Sequence, residues 1–294
     1  MALLAPLFWA GSNIFDKYAL EKVSRGVYDF LFFGTMGSIL IATLTFFVFG
    51  LDEVSVFILY PLVAGFLVQA SYLFYSHALQ KEDASYIVPL YITYTVVVLI
   101  IGPFFGETVS LIQFLAFMVV FLGALVISLK ELSFKLFSHR KGALLMIPAT
   151  ILIGLAVLLT DQSLEILSFS DTFIYDLIGF SIAGFCLLLV PRWRKEILKG
   201  IKTANAKKYS LFLVNDTLDM SGHLIYKYAL LLAPSAGLVA VLGGIQPFYV
   251  LSLGIFLTIF FPKVIKENIS KKEISQKVVG ATIIFVGILI LSLS

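Results

Sequence analysis

Apolar stretches long enough to cross a bilayer recur from one end of this chain to the other, which limits the fold more than any motif does. Inside a membrane every backbone N–H and C=O must be satisfied internally, so a spanning segment is a helix or a strand of a closed barrel. Runs of about 18 or more apolar residues are of helical length. Ten such spans are read: Ala2–Ala19, Tyr28–Phe49, Val56–Leu79, Ala84–Ile101, Leu111–Leu129, Ala143–Leu159, Thr172–Val190, Tyr209–Leu231, Ala236–Phe261 and Lys277–Leu293. Only 13% of the residues are charged, against about 25% in soluble proteins, and the loops are too short for a soluble domain. An all-α membrane protein of ten transmembrane helices is expected. The first apolar run has no basic flank and is interrupted by Ser12, Asn13 and Asp16. It reads as a first transmembrane helix and not as a cleaved signal. The single cysteine, Cys186, lies inside a span, so no disulfide framework is available.

One run is written twice. Ser71–Leu79 reads SYLFYSHAL and Gly222–Leu230 reads GHLIYKYAL, which places Tyr75 on Tyr226 and Ala78-Leu79 on Ala229-Leu230. Gly123–Leu129 (GALVISL) returns as Gly287–Leu293 (GILILSL). Two copies of one unit imply two five-helix repeats, residues 1–130 and 142–294, joined by a basic connecting loop over 131–141. Every Lys and Arg except Lys227 falls in an odd-numbered loop, while the second, fourth and sixth loops carry acids such as Asp52, Glu107, Asp161, Glu165 and Asp171. The positive-inside rule then puts the odd loops in the cytoplasm and both termini outside. Five is an odd number, so the two copies enter the membrane in opposite senses: the repeats are inverted, with substrate expected at their interface. The net charge of +3 sits in loops against the membrane surface and is no sign of nucleic acid.

Tyr75 to Leu129 resembles the EamA repeat of the drug/metabolite transporter superfamily. The likeness rests on Ala78-Leu79, Ala84-Ser85, Val88-Pro89-Leu90, Gly106-Glu107, Gln113 and Gly123, with Trp9-Ala10-Gly11-Ser12-Asn13 resembling the stretch that opens the first helix in that family. The second half matches through Ala229-Leu230, Gln246-Pro247, Glu267, Gln276 and Gly287. The resemblance implies an alternating-access carrier in the cell membrane, with its cavity between spans 1, 3, 4, 6, 8 and 9 and with spans 5 and 10 peripheral. It also implies cytoplasmic termini, opposite to the charge count. A monomer, or a homodimer through spans 5 and 10, is the corresponding assembly.

An ionisable group at bilayer depth costs about 2.5–3.5 kcal/mol on insertion scales, so each one needs a reason. The eighth span carries Asp216, Asp219, His223 and Lys227 on one stripe, with Asn215 and Tyr226 on its flank. Asp219 and His223 are one turn apart, a pairing suited to proton coupling. The competing reading is a ladder of internal pairs, with Lys227 snorkelling to the interface. The first span presents Trp9, Ser12, Asn13 and Asp16 on one face; Trp9 is equally an interface anchor, and Asp16-Lys17 equally the helix end at the water. Gln69, Tyr72 and Ser76 share a face of the third span. Tyr86, Pro89 and Thr93 share one of the fourth, where Pro89 frees a backbone carbonyl. Asp176 in the seventh span is a candidate for charge compensation, and Gln246 in the ninth for a ligand contact.

No nucleotide-binding loop of the GxxxxGK[ST] type occurs, which removes a primary pump. His77, His139 and His223 are too dispersed for a metal or hydrolase site, so neither enzyme chemistry, metal nor cofactor is expected. The reading is a secondary transporter of a small solute. Two in-span aspartates lean toward an amine, an amino acid or another cationic or zwitterionic cargo, with the proton as candidate coupling ion. The alternative is a flippase or carrier of a lipid-linked or nucleotide sugar, which needs more in-span positive charge than Lys227 supplies.

Overall fold

The computed structural model describes residues 3–52, 55–82, 84–106, 110–128, 141–234, 236–263 and 270–292, and among them the chain is helical without strands. The helices are α1 (Leu4–Lys22), α2 (Val27–Phe49), α3 (Leu59–Leu79), α4 (Ala84–Tyr91), α5 (Tyr94–Ile101), α6 (Leu111–Ser128), α7 (Lys141–Ile166), α8 (Phe169–Cys186), α9 (Pro191–Lys202), α10 (Ala206–Leu232), α11 (Ala236–Gly243), α12 (Gln246–Phe260) and α13 (Lys271–Ser292). Val27–Phe49, Val56–Leu79, Leu144–Ile166 and Phe169–Leu189 are each long and apolar enough to cross a bilayer. Phe47, Phe104 and Leu189 are 77%, 87% and 78% exposed, and many other large apolar side chains face outward with them. A surface of that kind fits lipid, not water, and the chain is an integral membrane protein. The basic connecting loop read over 131–141 lies outside the described residues, except Lys141, which opens α7.

Three expectations are corrected. The fourth and ninth spans are not continuous helices. Thr93 N–H bonds to the Leu90 carbonyl and Thr95 N–H to Ile92, and Ile245 N–H bonds to Leu242 and Phe248 N–H to Ile245, all with three-residue spacing. Pro89 and Pro247, which lack an N–H, sit beside these tightened turns. Second, the seventh basic loop contains an amphipathic helix, α9, with Pro191 in its first turn. Ile197 and Gly200 are buried while Arg192, Arg194, Lys195, Lys199 and Lys202 face out, so its short apolar face escapes a search for spans. Third, Lys17 belongs to no loop: α1 continues to Lys22, and both Asp16 and Lys17 are buried. The Lys17 ammonium donates to the carbonyls of Leu79 and Glu82 at 2.7 and 2.8 Å. Lys208, at the start of α10, is buried as well, at 2.6 Å from Asp29.

These contacts sort the loops into two ends. Arg25 donates to Thr203 at 3.0 Å, the backbone N–H groups of Tyr28 and Asp29 donate to Glu196, and Trp193 stacks on Tyr28 at 4.7 Å. Together with Lys17 they gather the first, third and seventh loops at one end. At the other, Asp52 N–H donates to Asp171 at 3.2 Å and Gln162 to the Phe105 carbonyl at 3.2 Å, which gathers the second, fourth and sixth. Among the described residues, the basic first, third and seventh loops and the acidic second, fourth and sixth therefore gather at two different ends. The positive-inside rule leads one to expect the basic end in the cytoplasm, and a C-terminal reporter that fluoresces only in the cytoplasm is then expected to stay dark. A bright reporter would reverse the orientation.

In the bundle α3 packs on α7 and α8, α10 on α1 and α2, α5 on α7, α12 on α1, α2 on α8, and α6 on α13. The tightest crossings are made at glycine. A Cβ on Gly65 would strike the Asp176 carbonyl and one on Gly179 the Leu62 carbonyl, so α3 and α8 meet backbone to backbone. Gly123 and Gly287 do the same for α6 and α13. Small residues permit close helix approach where lipid offers no hydrophobic drive.

Candidate functional site

Half-helix ends at bilayer depth leave backbone groups that are tolerated only inside protein or along a cavity. Such a cavity lies beside the α4–α5 and α11–α12 breaks. It encloses roughly 640 Å³ of unfilled space counted to its open mouth. Its walls come from Trp9 and Asn13 of α1, Tyr72 of α3, Tyr91 and Tyr94 around the first break, Ile153 and Thr160 of α7, His223, Tyr226 and Lys227 of α10, and Gln246 of α12. Thr160 lies in the C-terminal part of α7, which ends at the acidic sixth loop, so this cavity leans toward that end.

The polar groups in its wall are fixed by one another. Gln246 donates to Asn13 Oδ1 at 2.7 Å, and Asn13 Nδ2 donates to Tyr75 Oη at 2.9 Å. The Trp9 ring meets His223 edge-on at 5.3 Å and leans on Tyr226 at 5.2 Å. Gly222 lies beneath that indole, where a Cβ would be 2.6 Å from Trp9 Cδ1. Trp9 Nε1 and His223 Nε2 are buried without a hydrogen-bond partner. Lys227 does not snorkel: its ammonium is 3.0 Å from Asp176 Oδ1 and 3.5 Å from Thr160 Oγ1, all buried.

A second cavity, roughly 410 Å³, lies toward the basic end. Ser12 and Asp16 of α1, Phe30, Leu31 and Gly34 of α2, Gln69 of α3, Phe180 of α8, and Phe212, Asn215, Asp216 and Asp219 of α10 line it. Tyr72 belongs to both cavities. Its hydroxyl donates to Asp219 Oδ1 at 3.1 Å, while Asp219 Oδ2 is 3.6 Å from His223 Nε2, beyond hydrogen-bond reach. The charged stripe of α10 thus runs through both cavities: Asp216 and Asp219 in one, His223 and Lys227 in the other.

The sequence candidates divide accordingly. Trp9, Asn13, Tyr72, His223, Tyr226, Lys227 and Gln246 line the larger cavity, and Asp16, Gln69, Asp216 and Asp219 the smaller. Ser76, Pro89, Thr93 and Asp176 are not among the lining residues of either. Ser76 is fully buried, Thr93 turns its hydroxyl back to the Leu90 carbonyl at 2.6 Å, and Asp176 stands behind Lys227. Tyr91, Tyr94 and Thr160 were missed. A continuous helix puts Pro89 and Thr93 on the favoured face; the tightened turn at Ile92–Thr93 rotates α5 relative to α4 and brings the tyrosines in instead.

Residues 1–129 match the EamA-like transporter family. No curated protein matches. A solved structure described only as "Crystal structure of protein" superposes with a TM-score of 0.59 over 99% of this chain and 98% of that one, at 13% identity. At that identity the likeness is one of fold.

Proposed function

We propose that this chain, whose residues 1–129 belong to the EamA-like transporter family of the drug/metabolite transporter superfamily, is a secondary transporter of a small amine or amino acid working by alternating access between inverted five-helix halves. The family carries the general statement, a membrane transporter. Two observations support the inverted halves. Exchanging the first five spans for the last five turns α3 on α7 into α10 on α1, and α5 on α7 into α12 on α1, while α2 on α8 and α6 on α13 map onto themselves. The two broken helices are likewise exchanged, the arrangement in which discontinuous helices frame a substrate site.

The cargo reading rests on Trp9 Nε1 and His223 Nε2, which find no hydrogen-bond partner among the described residues, in a wall that also carries Tyr72, Tyr91, Tyr94 and Tyr226. An unpaired buried N–H costs about 1–3 kcal/mol, and a ligand acceptor removes that cost. The Tyr72, Tyr91, Tyr226 and Trp9 rings suit an apolar or cationic body. Lys227 already pairs with Asp176, which leaves little positive charge for the phosphate of a nucleotide sugar or a lipid-linked sugar. Asp219 and His223, on either side of the Tyr72 partition, are the proposed coupling groups. The cell membrane is the proposed location, and a second copy would dock on the outward faces of α6 and α13. In proteoliposomes the protein is expected to accumulate radiolabelled amino acids or amines with a proton gradient imposed. Trp9→Phe, which keeps an aromatic six-membered ring and deletes the N–H, is expected to cut uptake about tenfold or more, the equivalent of one buried hydrogen bond. Uptake equal to the parent would remove Trp9 from the cargo site.

A further inference from the structure

The smaller cavity is not a narrower copy of the larger one, because carboxyl groups dominate its polar lining. Ser12 donates to Asn215 Oδ1 at 3.0 Å, Asn215 Nδ2 donates to Asp16 Oδ1 at 2.7 Å, and Tyr72 donates to Asp219 Oδ1 at 3.1 Å. Those bonds engage the side-chain donors of the wall. Three aspartates from two helices face this one space, and their carboxyl oxygens keep acceptor capacity beyond those bonds. Asp216 accepts no hydrogen bond from the described residues. No lysine, arginine or histidine lines the cavity. Lys208, about two turns toward the basic end of the same helix, is already held by Asp29 at 2.6 Å.

Gln69 supplies an independent sign of a missing partner. Its Nε2 donates to the Leu31 carbonyl and to Thr35 Oγ1, both at 3.2 Å. A carbonyl can only accept, so the amide cannot be turned the other way. Its Oε1 is therefore left in the wall of the cavity with no donor, on a side chain only 3% exposed. The group that completes this site must bring N–H donors and positive charge.

We infer that the cavity between α1, α2, α3 and α10 is a binding site for an organic cation with two or more separated ammonium groups. A single metal ion fits poorly, since among the described residues no set of three Asp, Glu, His or Cys side chains converges as a metal cluster. Asp216 and Asp219 are separated by about 4.5 Å along α10, and Asp16 faces them from α1. Dispersed carboxylates match dispersed ammoniums. The walls between them are aromatic: Phe30, Phe180 and Phe212 provide faces for the methylene and ammonium parts of such a ligand. The site stands on this lining alone, independently of the cargo assigned to the larger cavity.

Calorimetric titration of the full-length protein in detergent with spermidine reads this site without any transport step. Saturable binding is expected, with 1,4-diaminobutane weaker than spermidine and a monoamine of equal length weaker again. Asp216→Asn and Asp16→Asn, each checked for a monodisperse elution profile, are expected to weaken spermidine about tenfold or more, the scale of one charge-assisted hydrogen bond. Trp9→Phe is expected to leave it unchanged, so the two cavities fail or stand separately. Absence of spermidine binding, equal affinity in both aspartate variants, or magnesium binding that depends on the same aspartates while spermidine does not bind would each overturn the assignment.

Discussion

Lys227→Met is expected to be the most destabilising single substitution in the bundle, lowering the unfolding free energy by about 3–5 kcal/mol. The lysine comes from α10 and its partner, Asp176, from α8, and both are buried to within a few percent. Removing the ammonium leaves a buried carboxylate without its partner at 3.0 Å. Asp176→Leu alone should cost a similar amount for the opposite reason. The double variant Lys227→Met/Asp176→Leu is expected to regain most of the loss, because an apolar pair of similar volume often replaces a buried ion pair at little cost. A thermal-melt cycle over the four proteins measures the coupling. Additive losses would show that the two side chains are near without stabilising one another. Uptake by the double variant adds a second reading: it is expected to be lost even where stability returns, since Lys227 also lines the cavity proposed for cargo.

The fold was legible because membrane helices announce themselves by length and polarity. The long helices stand where apolar runs stand, and the alternation of basic and acidic loops reappears as two chemically different ends. What the sequence hid was local. Breaks in the fourth and ninth spans depend on which carbonyls Thr93, Thr95, Ile245 and Phe248 reach. Pro89 and Pro247 marked both neighbourhoods without saying where the turn tightens. In the seventh loop, Trp193, Ile197 and Gly200 had a helical spacing, but hydropathy averaged over so many lysines and arginines conceals a three-turn apolar edge. The site was legible through cost: the acids and bases at bilayer depth were singled out, and most of them line a cavity. Their division between two cavities was not, because one stripe on α10 crosses the partition and only α3 decides where Tyr72 stands. Tyr91 and Tyr94 look like any aromatic residues in an apolar span until the break turns them inward.

Asp219→Asn is expected to insert, purify and melt like the parent and to lose transport by about 10–100-fold, the equivalent of about 1.5–3 kcal/mol from one interaction with a charged group. The geometry explains why packing survives. Asparagine keeps the size of aspartate and one carbonyl oxygen, so the Tyr72 hydroxyl still has an acceptor at the 3.1 Å position. The negative charge is what disappears. It lies on the partition itself, bonded to the tyrosine shared by both cavities and 3.6 Å from His223 on the larger-cavity side. If exchange between the two sides works through that charge, removing it stops the exchange and leaves a stable protein. His223→Gln then changes how uptake depends on external pH, because a group able to gain and lose a proton has been replaced by one that cannot. The structural alternative gives the reverse pattern. Were Asp219 only a strut between α3 and α10, the asparagine variant would melt earlier and the surviving protein would transport at the parent rate. Measuring melting temperature and initial uptake on the same preparation separates the two, and lower stability with intact uptake would refute a working role for Asp219.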